Sequence, residues 1–144
     1  MKNNSDVEKP LVYSCSGCSS SAQMANYLAL QLDRKGLAEM SCIAGVGGNV
    51  KKLVHTALSG RRLIVFDGCP LACAKACLGN YNLLPDVHVE LTALGVLKRN
   101  HVDFDQSQAN EILQHIELKI REDERLNQPA CKVKHTTMAV VPVF

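Results

Sequence analysis

The length, composition and charge of the chain exclude several classes of protein. Its 144 residues are close to the roughly 150 of a single domain. Its composition, with 47% apolar and 21% charged residues, is typical of a soluble globular protein. A net charge of +2 is too small to steer the protein to nucleic acid, and three Tyr, three Phe and no Trp are too few for a base-stacking surface. The sequence has no apolar run near the roughly 18 residues of a membrane span and no secretory signal in its polar first residues, so we expect a cytoplasmic protein.

Cysteine is the outlier in this composition. The chain has seven cysteines, an odd number that at about 5% of the residues lies below the level of a disulfide scaffold. In a reducing cytosol, clustered thiols more often bind metal or carry out redox chemistry than form structural disulfides. We therefore expect a metal site or a redox site.

The first half of the chain predicts two β–α units. The apolar run 11–13 predicts strand one, and the helix that follows is capped by one of the serines 19–21 and ends at Gly36. A second strand is predicted over 40–44, followed by a glycine-rich turn over 45–49. A second helix is indicated by apolar residues at i, i+3, i+4, i+7 and i+8, which are Val50, Leu53, Val54, Ala57 and Leu58.

The second half of the chain predicts two further units. The continuous apolar run 63–66 is typical of a central strand covered on both faces, and a third helix is predicted over 70–79 with the proline at its first position. Apolar and polar residues alternate over 87–91, which predicts a half-exposed edge strand. A last helix is predicted over 106–126 with Asp105 as its cap.

Four consecutive β–α units predict a single-domain α/β fold with three layers (αβα), Rossmann- or flavodoxin-like. Its mostly parallel four-stranded sheet would have the order 2-1-3-4. The domain would span 10–126, between a flexible lead, 1–9, and a tail, 127–144, to which we assign no element. Because adjacent parallel strands lie about 4.8 Å apart, the turns after strands one and three would lie side by side at the carboxyl edge of the sheet.

Two close pairs of cysteines follow strands one and three. Cys15-x2-Cys18 and Cys69-x3-Cys73 both lie at predicted helix N-termini, where free N–H groups favour thiolate over thiol. Cys69, at the cap of the third predicted helix, and Cys73, four residues later, would face the same side of that helix. Four thiolates are a tetrahedral donor set for zinc. The spacing therefore predicts a zinc site formed by the four cysteines.

The other three cysteines are weaker candidates for zinc ligands. Cys77 lies one helical turn beyond Cys73, and Cys42 ends the second predicted strand, so that either is an alternative to one of the four ligands. A single buried cysteine is most often a small hydrophobic residue. Cys131 lies in the tail, and we interpret it as a non-ligand.

Other residue types carry little signal. Five histidines are scattered along the chain and are interpreted as surface residues: His55, His88, His101, His115 and His135. The glycines of 45–49 match no nucleotide-binding motif and are interpreted as a tight turn. A cysteine phosphatase is excluded, because it needs an arginine six residues after its nucleophile, whereas Ser21 stands six residues after Cys15 and Met24 six residues after Cys18. Asp67 is interpreted as a residue that orients the turn or accepts hydrogen bonds from backbone N–H groups, and a catalytic role for it stays open.

The run 66–75, which contains Asp67-Gly68-Cys69, resembles the DGC-domain family, whose members are regarded as zinc-binding proteins. The CxxC element of that family matches Cys15-Ser16-Gly17-Cys18, and runs 42–47 and 91–95 extend the resemblance over about 11–98. The resemblance implies a four-cysteine zinc site in a small α/β domain. Its implied ligands are Cys15, Cys18, Cys69 and Cys73, and a cysteine at the position of Cys42 also occurs in such proteins.

The sequence thus predicts a cytoplasmic protein that binds Zn2+ for storage, delivery or sensing, with no nucleic-acid or membrane partner. The alternative is a thiol-disulfide oxidoreductase that uses the Cys15-Cys18 pair, since thioredoxin-like proteins also place a CxxC between a strand and a helix. A third interpretation is an iron–sulfur protein, because four thiolates also suit a cluster.

Overall fold

A computed structural model of the chain describes residues 8–127. The strands are β1 (Leu11–Ser14), β2 (Glu39–Met40), β3 (Leu63–Asp67) and β4 (Val87–Glu90). The helices are α1 (Ser20–Arg34), α2 (Ile43–Gly47), α3 (Lys51–Ala57), α4 (Cys73–Gly79) and α5 (Gln106–Glu122), and a 3-10 helix, Leu91–Leu94, follows β4. The predicted lead and tail, with Cys131 and His135, lie almost wholly outside the described residues.

The four strands form one parallel sheet in the order β2-β1-β3-β4, which confirms the predicted order. In the central pair, Leu11 is opposite Leu63 and Ser14 is opposite Phe66. Every residue of β1 and β3 is buried, as the continuous apolar runs predicted. As predicted, β4 lies at an edge of the sheet.

The helices cover the sheet in two layers. The first helix, α1, packs on β1, β2 and β3 and contacts α5, whereas α4 packs on β3 and contacts α2, which in turn contacts α3. The buried side of α1 includes Met24, Leu28 and Leu32, at helical spacing. The predicted three-layer α/β fold is confirmed. No helix within residues 8–127 combines the length and the apolar character that crossing a membrane requires.

Local capping rules fix the long helices. The Ser19 hydroxyl accepts a hydrogen bond from the Ala22 N–H (3.2 Å), and the Asp105 carboxylate accepts one from the Gln108 N–H (3.0 Å). Both caps agree with the sequence analysis. However, α5 ends at Glu122, four residues before the predicted end.

The segment after β2 differs from the prediction. The second strand has two residues rather than the predicted 40–44, and the expected glycine-rich turn is largely the short helix α2. A Cβ on Gly45 would lie 1.9 Å from Leu53 Cδ1, and a Cβ on Gly47 would lie 3.0 Å from Cys77 Sγ. These two glycines therefore allow α2 to pack against α3 and α4, and their conservative interpretation as turn residues is wrong.

The start of α4 also differs from the prediction. The helix begins at Cys73, not at Pro70, and the residue before it, Ala72, has a left-handed backbone with φ +48°. Because Cys69 lies in the preceding turn, the expectation that Cys69 and Cys73 share one helical face is wrong. The turn instead brings Cys69 to the carboxyl edge of the sheet.

Candidate metal centre

The turns after β1 and β3 meet at the carboxyl edge of the sheet. The Cys15 N–H donates to the Phe66 carbonyl (3.0 Å), which extends the β1–β3 ladder by one residue. The Cys15 sulfur accepts a hydrogen bond from the Gly68 N–H (3.2 Å). The first cysteine of one pair is thus joined to the turn that carries the other pair.

Gly68 allows these turns to approach the first turn of α1. A Cβ at this position would lie 2.7 Å from both Ser21 C and Ala22 N, which are backbone atoms that cannot rotate away. Any side chain at position 68 would therefore push the β3 turn away from α1. The Asp-Gly-Cys run needs its glycine for this contact.

One cavity of about 210 Å³ collects the predicted ligands. Its lining includes both cysteine pairs, namely Cys15, Cys18, Cys69 and Cys73, together with Asp67 and Lys98. Cys15 is buried, Cys69 is half-buried, and Cys18 and Cys73 are exposed. The fold therefore brings together four cysteines that are separated by as many as 58 positions (73 minus 15) in the chain.

The electrostatic environment of Cys15 reflects this grouping. Burial raises the pKa of the Cys15 thiol, and the negative charges of Asp67, Cys73 and Cys69 raise it further. The Gly68 N–H acts in the opposite direction, because it stabilises the thiolate. Burial and the neighbouring charges thus favour the neutral thiol of Cys15, whereas a bound cation would favour the thiolate.

A cationic side chain reaches the cavity from the segment after the 3-10 helix. The Ser20 N–H donates to the Arg99 carbonyl (2.8 Å), and the Ser20 hydroxyl donates to the Leu97 carbonyl (3.0 Å). These bonds hold residues 97–99 beside the start of α1. From there Lys98 Nζ donates to Cys69 Sγ (3.3 Å), which places a positive charge beside the thiols.

Neither alternative cysteine lines this cavity. Cys42 occupies the cap position of α2 and is exposed, two residues beyond β2. Cys77 lies in α4 and faces Gly47 of α2, and burial raises the pKa of its thiol. The geometry therefore does not favour either Cys42 or Cys77 as a replacement for one of the four predicted ligands.

The sequence analysis missed a buried contact between a histidine and a carboxylate beside the cavity. His88 Nε2 lies 2.8 Å from Asp67 Oδ2, and the two side chains are 13% and 1% exposed. The interpretation of His88 as a surface residue is wrong, whereas His55, His101 and His115 are exposed as expected. An aspartate that ends a wholly apolar strand was the available signal, since a buried carboxylate needs hydrogen-bond donors.

The donor set has the chemistry that zinc prefers. Four cysteine sulfurs that reach one cavity from two turns match the ligand types of structural zinc sites. Across residues 8–127, no three His, Cys, Asp or Glu side chains stand as an assembled metal site.

Comparison with known proteins places the chain in a family. The DGC domain family matches residues 11–116. A protein of Pseudomonas aeruginosa, named anaerobic and virulence modulator AnvM, is 51% identical over 112 residues, which cover 78% of this chain and 86% of that protein. No solved structure matches the chain. The match to both cysteine turns, over most of the chain, shows that the protein belongs to the DGC-domain family.

Proposed function

We propose that the protein binds one zinc ion through Cys15, Cys18, Cys69 and Cys73 at the carboxyl edge of its sheet. The observation that carries the proposal is the single cavity lined by both cysteine pairs. Zinc would supply no redox chemistry, but it would join the turn after β1 to the turn after β3. Part of its binding free energy would then be folding free energy for these turns.

The charges around the cavity support the proposal. Four thiolates around one Zn2+ leave a net charge of about −2. Lys98, whose ammonium group already contacts Cys69, partly offsets this charge. The Gly68 N–H provides a hydrogen bond to the Cys15 sulfur, of the kind that orients metal ligands.

The alternative of a thiol-disulfide oxidoreductase receives less support. In such enzymes one cysteine of the CxxC pair is an exposed thiolate with a lowered pKa. Here Cys15 is buried, and burial raises the pKa of its thiol. The exposed member of the pair is Cys18.

Among storage, delivery and sensing, we favour sensing. The Pseudomonas aeruginosa relative is named a modulator, a word that describes control rather than storage. A site whose ligands lie on two separate turns is suited to control, because occupation changes how firmly the turns are held together. We expect zinc to slow amide exchange in residues 15–20 and 67–74 and to leave α5 unchanged.

The ligand assignment is tested by single substitutions in the full-length chain. Cys15→Ser and Cys69→Ser remove one thiolate each, so we expect zinc affinity to fall by at least about 100-fold, measured by competition with a chromophoric chelator. Cys42→Ser and Cys131→Ser are the matched controls and should bind zinc within about threefold of the unaltered protein.

Two results would contradict this assignment. Full zinc retention by Cys69→Ser would remove that ligand, and loss of zinc from Cys42→Ser would restore Cys42 as an alternative. A disulfide-reductase activity of the zinc-loaded protein that matches a known dithiol reductase would instead favour the oxidoreductase.

A further inference from the structure

The Asp67 carboxylate uses both of its oxygen atoms inside the protein. Oδ1 accepts a hydrogen bond from the Ala74 N–H (2.8 Å), and Oδ2 accepts one from the Lys75 N–H (3.2 Å). Oδ2 also lies 2.8 Å from His88 Nε2. Asp67 is fully buried, so these donors replace the water that a carboxylate would otherwise bind.

These bonds cap a helix that has no cap of its own. The residue at the cap position of α4 is Ala72, whose side chain accepts no hydrogen bond and whose backbone is left-handed. The first N–H groups of a helix need acceptors from outside the helix. Asp67, at the end of β3, supplies them to the second and third residues of α4.

His88 holds the carboxylate from the next strand. In the β3–β4 ladder His88 is opposite Val65, two residues before Asp67 and therefore on the same face of the sheet. Its contact with Oδ2 limits rotation of the carboxylate. The sequence of contacts runs from β4 through His88 and Asp67 to Ala74, the residue directly after Cys73.

We propose that Asp67 and His88 are positioning residues that hold the first turn of α4, and with it Cys73, against the turn that carries Cys69 and contacts Cys15. The proposal rests on the proposed zinc function. The pair acts through the backbone of α4, because both oxygens of Asp67 are already engaged and His88 does not line the cavity.

The test compares four variants of the full-length protein. Asp67→Asn removes one acceptor oxygen, His88→Leu removes the donor, and His88→Gln restores an N–H donor. The matched control is Asp86→Asn, because Asp86 binds the Leu63 N–H (2.8 Å) at the opposite end of β3, far along the chain from the cysteine turns.

The first measurement is zinc affinity by chelator competition. We expect Asp67→Asn and His88→Leu to weaken binding by about 10–100-fold, as is usual for residues that support metal ligands. His88→Gln and Asp86→Asn should stay within about threefold of the unaltered protein. The proposal is overturned if His88→Gln binds as weakly as His88→Leu, or if Asp86→Asn loses as much affinity as Asp67→Asn.

The second measurement is amide hydrogen exchange at Ala74 and Lys75 in the zinc-free protein. Loss of a charge-assisted hydrogen bond should raise exchange in Asp67→Asn by about tenfold or more relative to Asp86→Asn. Equal exchange in these two variants would overturn the proposal. If the unaltered protein binds no zinc, the proposed function fails, and this exchange alone decides whether the pair positions α4.

Discussion

The two edges of the sheet use polar groups in different ways. At the amino edge, charged side chains pair with one another: Arg61 contacts Glu39 (2.8 Å), and Arg62 contacts Asp86 (3.1 Å). At the carboxyl edge, the turns carry four cysteines, with a buried carboxylate and a histidine behind them. The charged side chains of the amino edge pair with one another within the fold, whereas the thiols of the carboxyl edge offer sulfur atoms to a shared cavity.

One aspartate at each edge accepts hydrogen bonds from backbone N–H groups, but the two aspartates fix different segments of the chain. Asp86 accepts from the Leu63 N–H and thereby fixes the first residue of β3. Asp67 accepts from the first turn of α4 and thereby fixes the segment that carries Cys73. In open parallel sheets ligands bind outside the carboxyl ends of the strands, and here the chain places the four cysteines of the proposed zinc site there. The difference indicates that one edge supports the fold and the other supports the site.

Among substitutions that distinguish the two edges, Gly68→Ala at the carboxyl edge is expected to have the largest effect on stability and zinc binding. The added Cβ would overlap the backbone of Ser21 and Ala22, so the turn after β3 must move away from α1. We expect the free energy of unfolding to fall by about 2–3 kcal/mol, together with weaker zinc binding. Urea unfolding and chelator competition measure the two effects.

The matched control for this substitution is Gly79→Ala. Gly79 is the last residue of α4, and a Cβ there meets nothing within 4 Å. Because alanine favours a helix over glycine, we expect a gain of about 0.5–1 kcal/mol and unchanged zinc binding. A Gly68→Ala variant as stable as Gly79→Ala would contradict the described approach of the β3 turn to α1.

A smaller effect on stability is expected from the loss of a charge beside the amino edge, at Asp33 near the end of α1. The Asp33 carboxylate accepts from the Met40 N–H (2.9 Å), and this bond, with a contribution from Arg34, lowers the pKa of Asp33. A lowered folded-state pKa stabilises the protein above the unfolded value of about 3.9, and this stability is lost as the pH falls through the folded value.

The test is Asp33→Asn, which keeps an acceptor oxygen but removes the charge. We expect a loss of less than about 1 kcal/mol near pH 7, because the group is partly exposed. The stability of the variant should also fall less between about pH 5 and pH 3 than that of the unaltered protein. Urea unfolding at both pH values measures this difference. An equal loss of stability on acidification in the two proteins would contradict this role of Asp33. Zinc binding near pH 7 should not change.

The parts of the fold that sequence could predict are those set by neighbours along the chain. The caps Ser19 and Asp105 act on residues three positions away, and the buried strands are continuous apolar runs. The predicted strand order agrees with right-handed crossovers, and it was supported by the cysteine pairs that follow strands one and three. For the same reason, the four cysteines were placed at one edge, since each pair directly follows a central strand.

The parts that sequence could not predict depend on contacts between distant residues. Gly45 and Gly47 leave room for the side chains of Leu53 and Cys77. No local sequence pattern reveals these contacts, so most of α2 was interpreted as a turn. The start of α4 is set by Asp67 from another element rather than by the proline at its expected first position. His88 was assigned to the surface because alternation in an edge strand does not show what covers its polar face.

The most direct test of the central claim is the metal content of the full-length protein, purified under reducing conditions without added metal. Elemental analysis should find one zinc per chain and no iron, with no visible absorption band, because zinc has no redox or d-electron transitions. Acidification should release this zinc, since protons compete for the thiolates. Protein without zinc, or coloured protein that contains iron, would contradict the proposed zinc site.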